Sequence, residues 1–342
     1  MYYRQRKKGH VQEETRVLLR VLTREVKREI GRYKTEKWQS FLSTVQDSHD
    51  RPEKAFWNYL SRVYKPKTLP FSKLAVNGKS LSDEQEITDE LYKYYEEQFQ
   101  PPSLDKNDPH DAEIEKEYIE MKKVLETSNE PVRATSIFEI TKYIKKLKEK
   151  KSAGYDSVSN YMLKLLPPGY AGCLTKCFNK WLTECSYPEP WKIAKIITLS
   201  KLKAGVPRCD QTRPISLLAT HSKLFEKVLL KRVRHWAENQ QLVPIEQSGF
   251  RPGCLLPTRV LSIYQEVKNN LAGNIPTLAI YYDYQKAYDK VWHIGLVVKL
   301  YRLEMPHGLL KMIVSWLSGR KAYVNFGKTS SGVFLIYIGL PQ

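Results

Sequence analysis

The hydrophobic and polar positions predict a helical first part of the chain. Between residues 13 and 42, apolar side chains recur at helical spacing among dense Arg, Lys and Glu, which predicts one long, charged amphipathic helix. A second helix is predicted around residues 52–64. Capping boxes at Ser82 with Gln85 and at Ser136 with Glu139 predict the starts of two further helices. Residues 103–111 are rich in Pro, Asp and Asn and are the best linker candidate.

Strand patterns enter in the second part of the chain. Residues 191–201 alternate between apolar and polar side chains, which predicts a β-strand that turns back through a basic hairpin to Thr212–Ile215. Residues 221–240 predict a helix, and residues 320–326 and 333–338 predict a pair of strands. This mixture of helices and strands predicts an α+β fold.

One apolar stretch stands out because of the residue that ends it. Thr277–Tyr282 has the β-rich composition of a buried strand, and it ends on the carboxylate of Asp283. A strand with an acid at its tip can present a metal ligand, and nucleotidyl transfer requires ligands for two divalent ions. Tyr288 follows in the next turn, where a bulky ring would bar a ribose 2′-hydroxyl and admit deoxynucleotides. Asp283 and Tyr288 are therefore candidate site residues.

The charge of the chain favours a polyanionic partner. The 342 residues carry 56 basic and 37 acidic side chains, for a formal charge of +19. Such an excess indicates nucleic acid before membrane, and the 22 Tyr and 7 Trp suit a surface that stacks on bases. There is no apolar run near the length of a membrane span.

The cysteines do not predict a metal site. The five cysteines include no Cys-x-x-Cys pair. Cys173 and Cys177 lie in an apolar helical stretch and are predicted to be small buried hydrophobes.

Four ordered blocks resemble the reverse transcriptases of non-LTR (LINE-type, jockey-like) retrotransposons. The stretch from Asp283 to Val291 resembles motif A in the form Asp-x-x-Lys-Ala-aromatic-Asp-x-Val. Residues 213–218, 249–253 and 339–342 match three further blocks in the family's order. The resemblance implies right-hand polymerase fingers and a partial palm over residues 131–342. Residues 1–130 would form a charged helical connector that precedes them.

The resemblance assigns roles to particular side chains. Asp283 would be the catalytic metal ligand, for Mg²⁺ or Mn²⁺. Arg213 first, then Lys201 and Lys203, would hold the triphosphate, since guanidinium groups grip phosphate oxygens bidentately. Tyr288 and Gln342 would adjoin the incoming nucleotide, and Phe250 and Arg251 would contact the template. Two departures from the family pattern lie outside these four blocks. Residues 151–157 resemble the family's Lys-x-Pro-Gly-Pro-Asp-Gly block, but Tyr155 and Ser157 replace the usual Pro and Gly. Ser200 replaces the usual Pro before Lys201.

The implied partners are an RNA template, a DNA primer and a deoxynucleoside triphosphate, with no membrane and no assigned oligomeric state. The implied location is nuclear, or cytoplasmic as a ribonucleoprotein. The chain reaches only the opening of motif B, and no Asp-Asp pair occurs in its 342 residues. Because the chemistry needs about three carboxylates, this polypeptide is expected to lack activity.

Two alternatives remain open from the residues. An RNA-dependent RNA polymerase would also use a pair of acids such as Asp283 and Asp289. Tyr288 argues against that alternative, since such an enzyme must accept the 2′-hydroxyl. A non-catalytic nucleic-acid-binding remnant fits the missing carboxylates and the positive charge.

Overall fold

The computed structural model describes residues 13–47, 69–103, 108–149, 152–167 and 169–341. The chain divides into two compact units, Met1–Thr68 and Leu69–Gln342. Within the first unit, helix α1 spans Glu13–Asp47, which confirms the predicted charged helix. The helix predicted around residues 52–64 lies outside the described residues.

The second unit contains helices and two β-sheets, a small antiparallel one and a larger mixed one, which confirms the predicted α+β class. Its described elements, in chain order, are β1 Leu74–Val76, β2 Lys79–Leu81, α2 Glu84–Gln98, α3 Pro109–Thr127, α4 Ile137–Lys146, α5 Asn160–Lys164, α6 Gly169–Glu184, β3 Ile193–Ser200, β4 Thr212–Leu217, α7 Thr220–Asn239, α8 Leu256–Ala272, α9 His293–Arg302, α10 His307–Leu317, β5 Lys321–Phe326, β6 Thr329–Ser330 and β7 Phe334–Leu335. None of the helices in the described part of the chain has the length and apolar character that crossing a bilayer requires.

The larger sheet has the strand order β4-β3-β5-β6, with β7 also paired to β5. Strand β3 alternates between buried and partly exposed side chains along most of its length, as its sequence pattern predicts. It pairs antiparallel with β4, and Leu199 lies opposite Arg213. It pairs parallel with β5, and Ile196 lies opposite Val324. The β3–β4 hairpin therefore brings Lys201 and Arg213 to one end of the sheet.

Helix α2 covers one face of this sheet. Its Leu91 and Tyr95 are fully buried in a cluster with Ile196 and Val324. The helix begins one residue later than the predicted capping box, because Asp83 rather than Ser82 caps it and accepts hydrogen bonds from two backbone N–H groups.

A second core joins α3, α4, α6, α7, α9 and α10. At its centre, the ring of Phe178 lies edge-on to Phe225, with centroids 4.9 Å apart. Met121 and Leu125 of α3 are buried in the same cluster, so residues before position 130 share a core with residues after it. The predicted division at residue 130 thus does not coincide with the boundary between the compact units, and it stays a prediction about the roles of the segments.

A largely buried ion pair links helices α4 and α7, which both contribute to this second core. Ser136 caps α4 as predicted, accepting a hydrogen bond from the Glu139 N–H. The Glu139 carboxylate is bound bidentately by Arg232, at 2.7 and 2.8 Å. Arg232 also donates to the carbonyls of Arg133 and Ala134. Helix α7 is therefore joined to the segment that enters α4.

The prediction of a buried strand over residues 277–282 is wrong. These residues form no strand, and Tyr281 and Leu278 are 91% and 84% exposed. An apolar strand is stable only when neighbouring strands pair with its backbone. Among the described strands, those of the larger sheet pair with one another and none pairs with this segment. Asp283 accordingly lies on an exposed loop rather than at a strand tip.

A further expectation about burial is wrong. Cys173 and Cys177 are exposed, because they lie beside the stripe of α6 that buries Leu174 and Phe178 and not within it. Arg320, the residue before β5, is only 1% exposed. Its guanidinium lies over the ring of Trp316 and donates to the Trp316 carbonyl at 3.1 Å.

Candidate functional site

The candidate site is built on the loop from Asp283 to Trp292. Residues 285–290 form consecutive turns, and the N–H of Lys290 donates to the carbonyl of Lys286 at 3.0 Å. Lys286 has a φ of +55°, a left-handed conformation that residues other than glycine rarely adopt. The loop therefore has a defined shape, although the apolar segment before it is exposed.

This loop is hydrogen-bonded to the residues that open the last sequence block. The N–H of Leu340 donates to the carbonyl of Tyr288 at 2.8 Å, and the N–H of Gly339 donates to the carbonyl of Val291 at 2.8 Å. The ring Nε2 of His293 lies 2.7 Å from the carbonyl oxygen of Gly339. Two blocks far apart in sequence are thus adjacent in space. Gln342 lies outside the described residues.

Gly339 is required for this close approach. Its φ is +85°, and a Cβ at this position would lie 2.7 Å from the carbonyl oxygen of Asp289. A real Cβ would displace one of the two segments, and the left-handed backbone disfavours any other residue. The sequence block therefore has a glycine here for both reasons.

Three cations lie close enough to the second acid of the loop, Asp289, to affect its pKa. Burial raises the pKa of Asp289, while the positive charges of Lys286, Lys201 and Arg213 act in the opposite direction and lower it. Lys201 and Arg213 come from the β3–β4 hairpin, where Arg213 is exposed and Lys201 donates to the carbonyl of Asp210 at 3.3 Å. The structure thus brings two of the three predicted phosphate-binding cations, Lys201 and Arg213, near the loop. Lys203 is exposed in the same hairpin.

The sequence did not mark Asp289 as a candidate site residue. It indicated this acid only as half of a paired-acid motif, because Lys201 and Arg213 are distant from it in sequence. The available signal was its position next to Tyr288, inside the same block.

The two predicted template-contacting residues differ in their placement. Phe250 is 87% exposed, with a φ of +59°, and its ring lies edge-on to Tyr288 with centroids 6.2 Å apart. Arg251 turns back on its own loop, donating to the carbonyl of Pro244 at 3.0 Å. Phe250 and Tyr288 therefore form one aromatic edge of the site.

The described residues do not form a complete metal centre. Asp283 is exposed, and no group of three His, Cys, Asp or Glu side chains in the described ranges is arranged to hold a metal ion. Two-metal nucleotidyl transfer needs more than one carboxylate.

Part of the chain matches a known family of proteins. Residues 201–342 match the family described as reverse transcriptase (RNA-dependent DNA polymerase). The matched range contains the β3–β4 hairpin loop, the Asp283–Trp292 loop and the Gly339–Leu340 segment.

The similar proteins come from mobile elements of flies. The chain is 31% identical to the probable RNA-directed DNA polymerase from transposon BS of Drosophila melanogaster, over 62% of this chain and 23% of that protein. It is 30% identical to the RNA-directed DNA polymerase from mobile element jockey of the same species, with the same coverage. A putative 115 kDa protein in the type-1 retrotransposable element R1DM is 26% identical over 92% of this chain and 28% of that protein.

The resemblance to non-LTR, jockey-like reverse transcriptases is therefore confirmed. The chain spans about a quarter of the length of these relatives.

Proposed function

We propose that this chain is the fingers and part of the palm of an RNA-directed DNA polymerase of a non-LTR retrotransposon. Its substrates would be an RNA template, a DNA primer and a deoxynucleoside triphosphate. The observation that carries the proposal is the hydrogen-bonded contact of Tyr288 with Leu340, next to an acid that faces Lys201 and Arg213.

Each part of this arrangement suits one part of the substrate. Arg213 and Lys201 would bind the triphosphate, which would replace Asp289 as the anion that faces them. The ring of Tyr288 would lie against the sugar and exclude a 2′-hydroxyl. Phe250, at the aromatic edge, would contact the template, and Arg251 would reach a phosphate after leaving the Pro244 carbonyl.

Divalent metal ions supply the charge that stabilises the attacking and leaving oxygens in this chemistry, and Mg²⁺ or Mn²⁺ is the ion proposed. In this chain Asp283 would be one ligand. The role of the remaining described residues is to bind and orient the substrates.

Nucleotide binding tests the proposal directly. Replacing Arg213 with methionine should weaken dATP binding about tenfold or more, because one charge-assisted bidentate contact is lost. The measurement is titration of dATP into the 342-residue chain with an RNA–DNA primer–template duplex and MnCl₂. Lys321→Met is the matched control, since Lys321 is exposed at the opposite end of β3 from this hairpin. Equal binding by wild type and Arg213→Met would contradict the assigned role.

A non-catalytic nucleic-acid-binding role is the second candidate. Among the described residues, no group of side chains that includes the exposed Asp283 is arranged to hold a metal ion, and this favours it together with the charge of +19. The two candidate functions differ in whether the chain catalyses a reaction. Both require binding to nucleic acid, which should weaken steeply as the salt concentration rises.

We expect this polypeptide to bind the RNA–DNA duplex and to extend its primer only at background rate with MgCl₂. The reason is that the described residues supply one of the several carboxylates that the chemistry needs. A primer-extension assay with labelled dATP measures the rate, with Asp283→Asn as the reference for background. Incorporation that is well above this reference would refute the prediction and would exclude the non-catalytic role.

A further inference from the structure

Helix α2 contacts the loop of the candidate site through one lysine. The ammonium of Lys286 donates to the hydroxyl of Tyr94 at 2.7 Å and to Oε1 of Gln98 at 2.5 Å, and it lies 4.9 Å from the centroid of the Tyr94 ring. Within the described residues, Nε2 of Gln98 is buried without a hydrogen-bond partner. The bond to Lys286 is therefore what orients the Gln98 amide.

The end of the same helix holds the segment that leads to Gly339. The carbonyl of Phe99, which caps α2, accepts a hydrogen bond from the Tyr337 N–H at 3.0 Å. The Phe99 ring stacks on Phe334 of β7, with centroids 6.3 Å apart. The approach of the Gly339–Leu340 segment to Tyr288 thus depends in part on the position of this helix.

Helix α2 also contacts the strand that carries Arg213. The buried hydroxyl of Tyr95 lies 2.8 Å from the hydroxyl of Thr212, the residue before Arg213. Helix α2 and its cap residue therefore contact three parts of the site: the β3–β4 hairpin, the loop that carries Tyr288, and the segment before Gly339. They do so from outside the 201–342 range that matches the reverse-transcriptase family.

We propose that α2 is a structural part of the nucleotide site, and that Tyr94 and Gln98 are positioning residues for deoxyribose selection. They hold Lys286, which fixes the left-handed turn just before Tyr288. This sets the distance between the Tyr288 ring and the cations that would bind the triphosphate. The inference rests on the proposed function, because it concerns how the same site discriminates sugars.

The test compares the affinities of the 342-residue chain for ATP and dATP, with an RNA–DNA duplex and MnCl₂ present. The variants are Lys286→Met and the pair Tyr94→Phe with Gln98→Leu, which keep side-chain bulk but remove the polar contacts. Tyr288→Ala gives the ratio of dATP to ATP affinity that is expected when no ring excludes the ribose 2′-hydroxyl. The controls are Lys290→Met, an exposed lysine on the same loop, and Tyr92→Phe, which removes a partly buried hydrogen bond to Glu96 on α2.

We expect wild type and both controls to prefer dATP. Lys286→Met and the Tyr94/Gln98 pair should lower this preference about fivefold, the effect of losing roughly one hydrogen bond, toward the Tyr288→Ala value. Their melting temperatures should stay near that of wild type, because the contacts are at the edge of the core. Hydrogen exchange should increase at the amides of Lys290 and Leu340 in the same variants.

The possible failures are distinguishable. An unchanged ratio in folded Lys286→Met would overturn the positioning role and leave the proposed function intact. A wild-type chain that binds both nucleotides equally, or neither, would overturn the proposed function and the inference with it.

Discussion

Replacing Arg232 with methionine is expected to lower the free energy of unfolding by about 3 kcal/mol. The guanidinium side chain is 9% exposed and the Glu139 side chain 11% exposed, so the substitution would leave a largely buried carboxylate without its main partner. The Arg133 and Ala134 carbonyls would also lose their donors. Urea denaturation measured by circular dichroism gives the change in free energy.

Arg302→Met is the matched control for this prediction. Arg302 forms a similar bidentate pair with Glu117, at 2.7 and 2.8 Å, but its side chain is 42% exposed. Solvent screening should make the loss of stability there much smaller than in Arg232→Met. Equal losses in the two variants would show that burial does not determine the strength of the Arg232–Glu139 pair.

The same ion pair predicts a dependence on pH. Burial alone would raise the pKa of Glu139, but hydrogen bonds from Arg232 and Thr135 and the charges of Arg232 and Lys231 outweigh it and lower the pKa to about 2. A carboxyl whose folded pKa lies below its unfolded value stabilises the fold above the unfolded pKa. The difference in stability between wild type and Arg232→Met should therefore be largest above about pH 4.5 and should shrink as the pH falls toward 2.

Gly339→Ala should separate the Gly339–Leu340 segment from the loop that carries Tyr288. The new Cβ would lie 2.7 Å from the carbonyl oxygen of Asp289, and φ of +85° would be strained for alanine. We expect the hydrogen bond from Leu340 to Tyr288 to break and the affinity for dATP to fall about tenfold, since the sugar barrier and the cations lose their relative position. Hydrogen exchange at Leu340 and dATP titration measure the two effects.

Gly332→Ala is the control for this substitution. The nearest atom to a Cβ there is 4.0 Å away, on Tyr92, and its φ is not in the left-handed region. This variant should bind dATP like wild type. If Gly339→Ala did the same, the contact between the two segments would have no part in nucleotide binding.

Elements that depend on local pattern were predicted well from the sequence. Strand β3, helix α7 and the cap at Ser136 follow from side chains close together in the chain. The apolar composition of residues 277–282 predicted a buried strand, which is wrong, because a strand also needs a partner that composition does not reveal. The predicted role of Glu139 was limited to the helix start, whereas its main partner, Arg232, is far away in sequence.

The candidate site, like the fold, was predictable from the sequence only in part. The motif blocks identified Tyr288, Arg213 and Phe250 as site residues, and the structure brings Tyr288 into contact with Phe250 and with the Gly339–Leu340 segment. The roles of all the predicted site residues, including Asp283 and Gln342, stay predictions. The contribution of α2 was not foreseen, since nothing in its sequence marks Tyr94 and Gln98 apart from other polar residues on an amphipathic helix.

The sequence by itself determined which family the chain resembles, the order of its blocks and the residue types at the candidate site, because these depend on the identity and spacing of residues along the chain. Only the tertiary structure decided which charges face Asp289, which helix holds Lys286 and why Gly339 admits no side chain. Burial, electrostatic attraction and steric exclusion depend on distances between atoms, and the fold brings together atoms that the sequence separates.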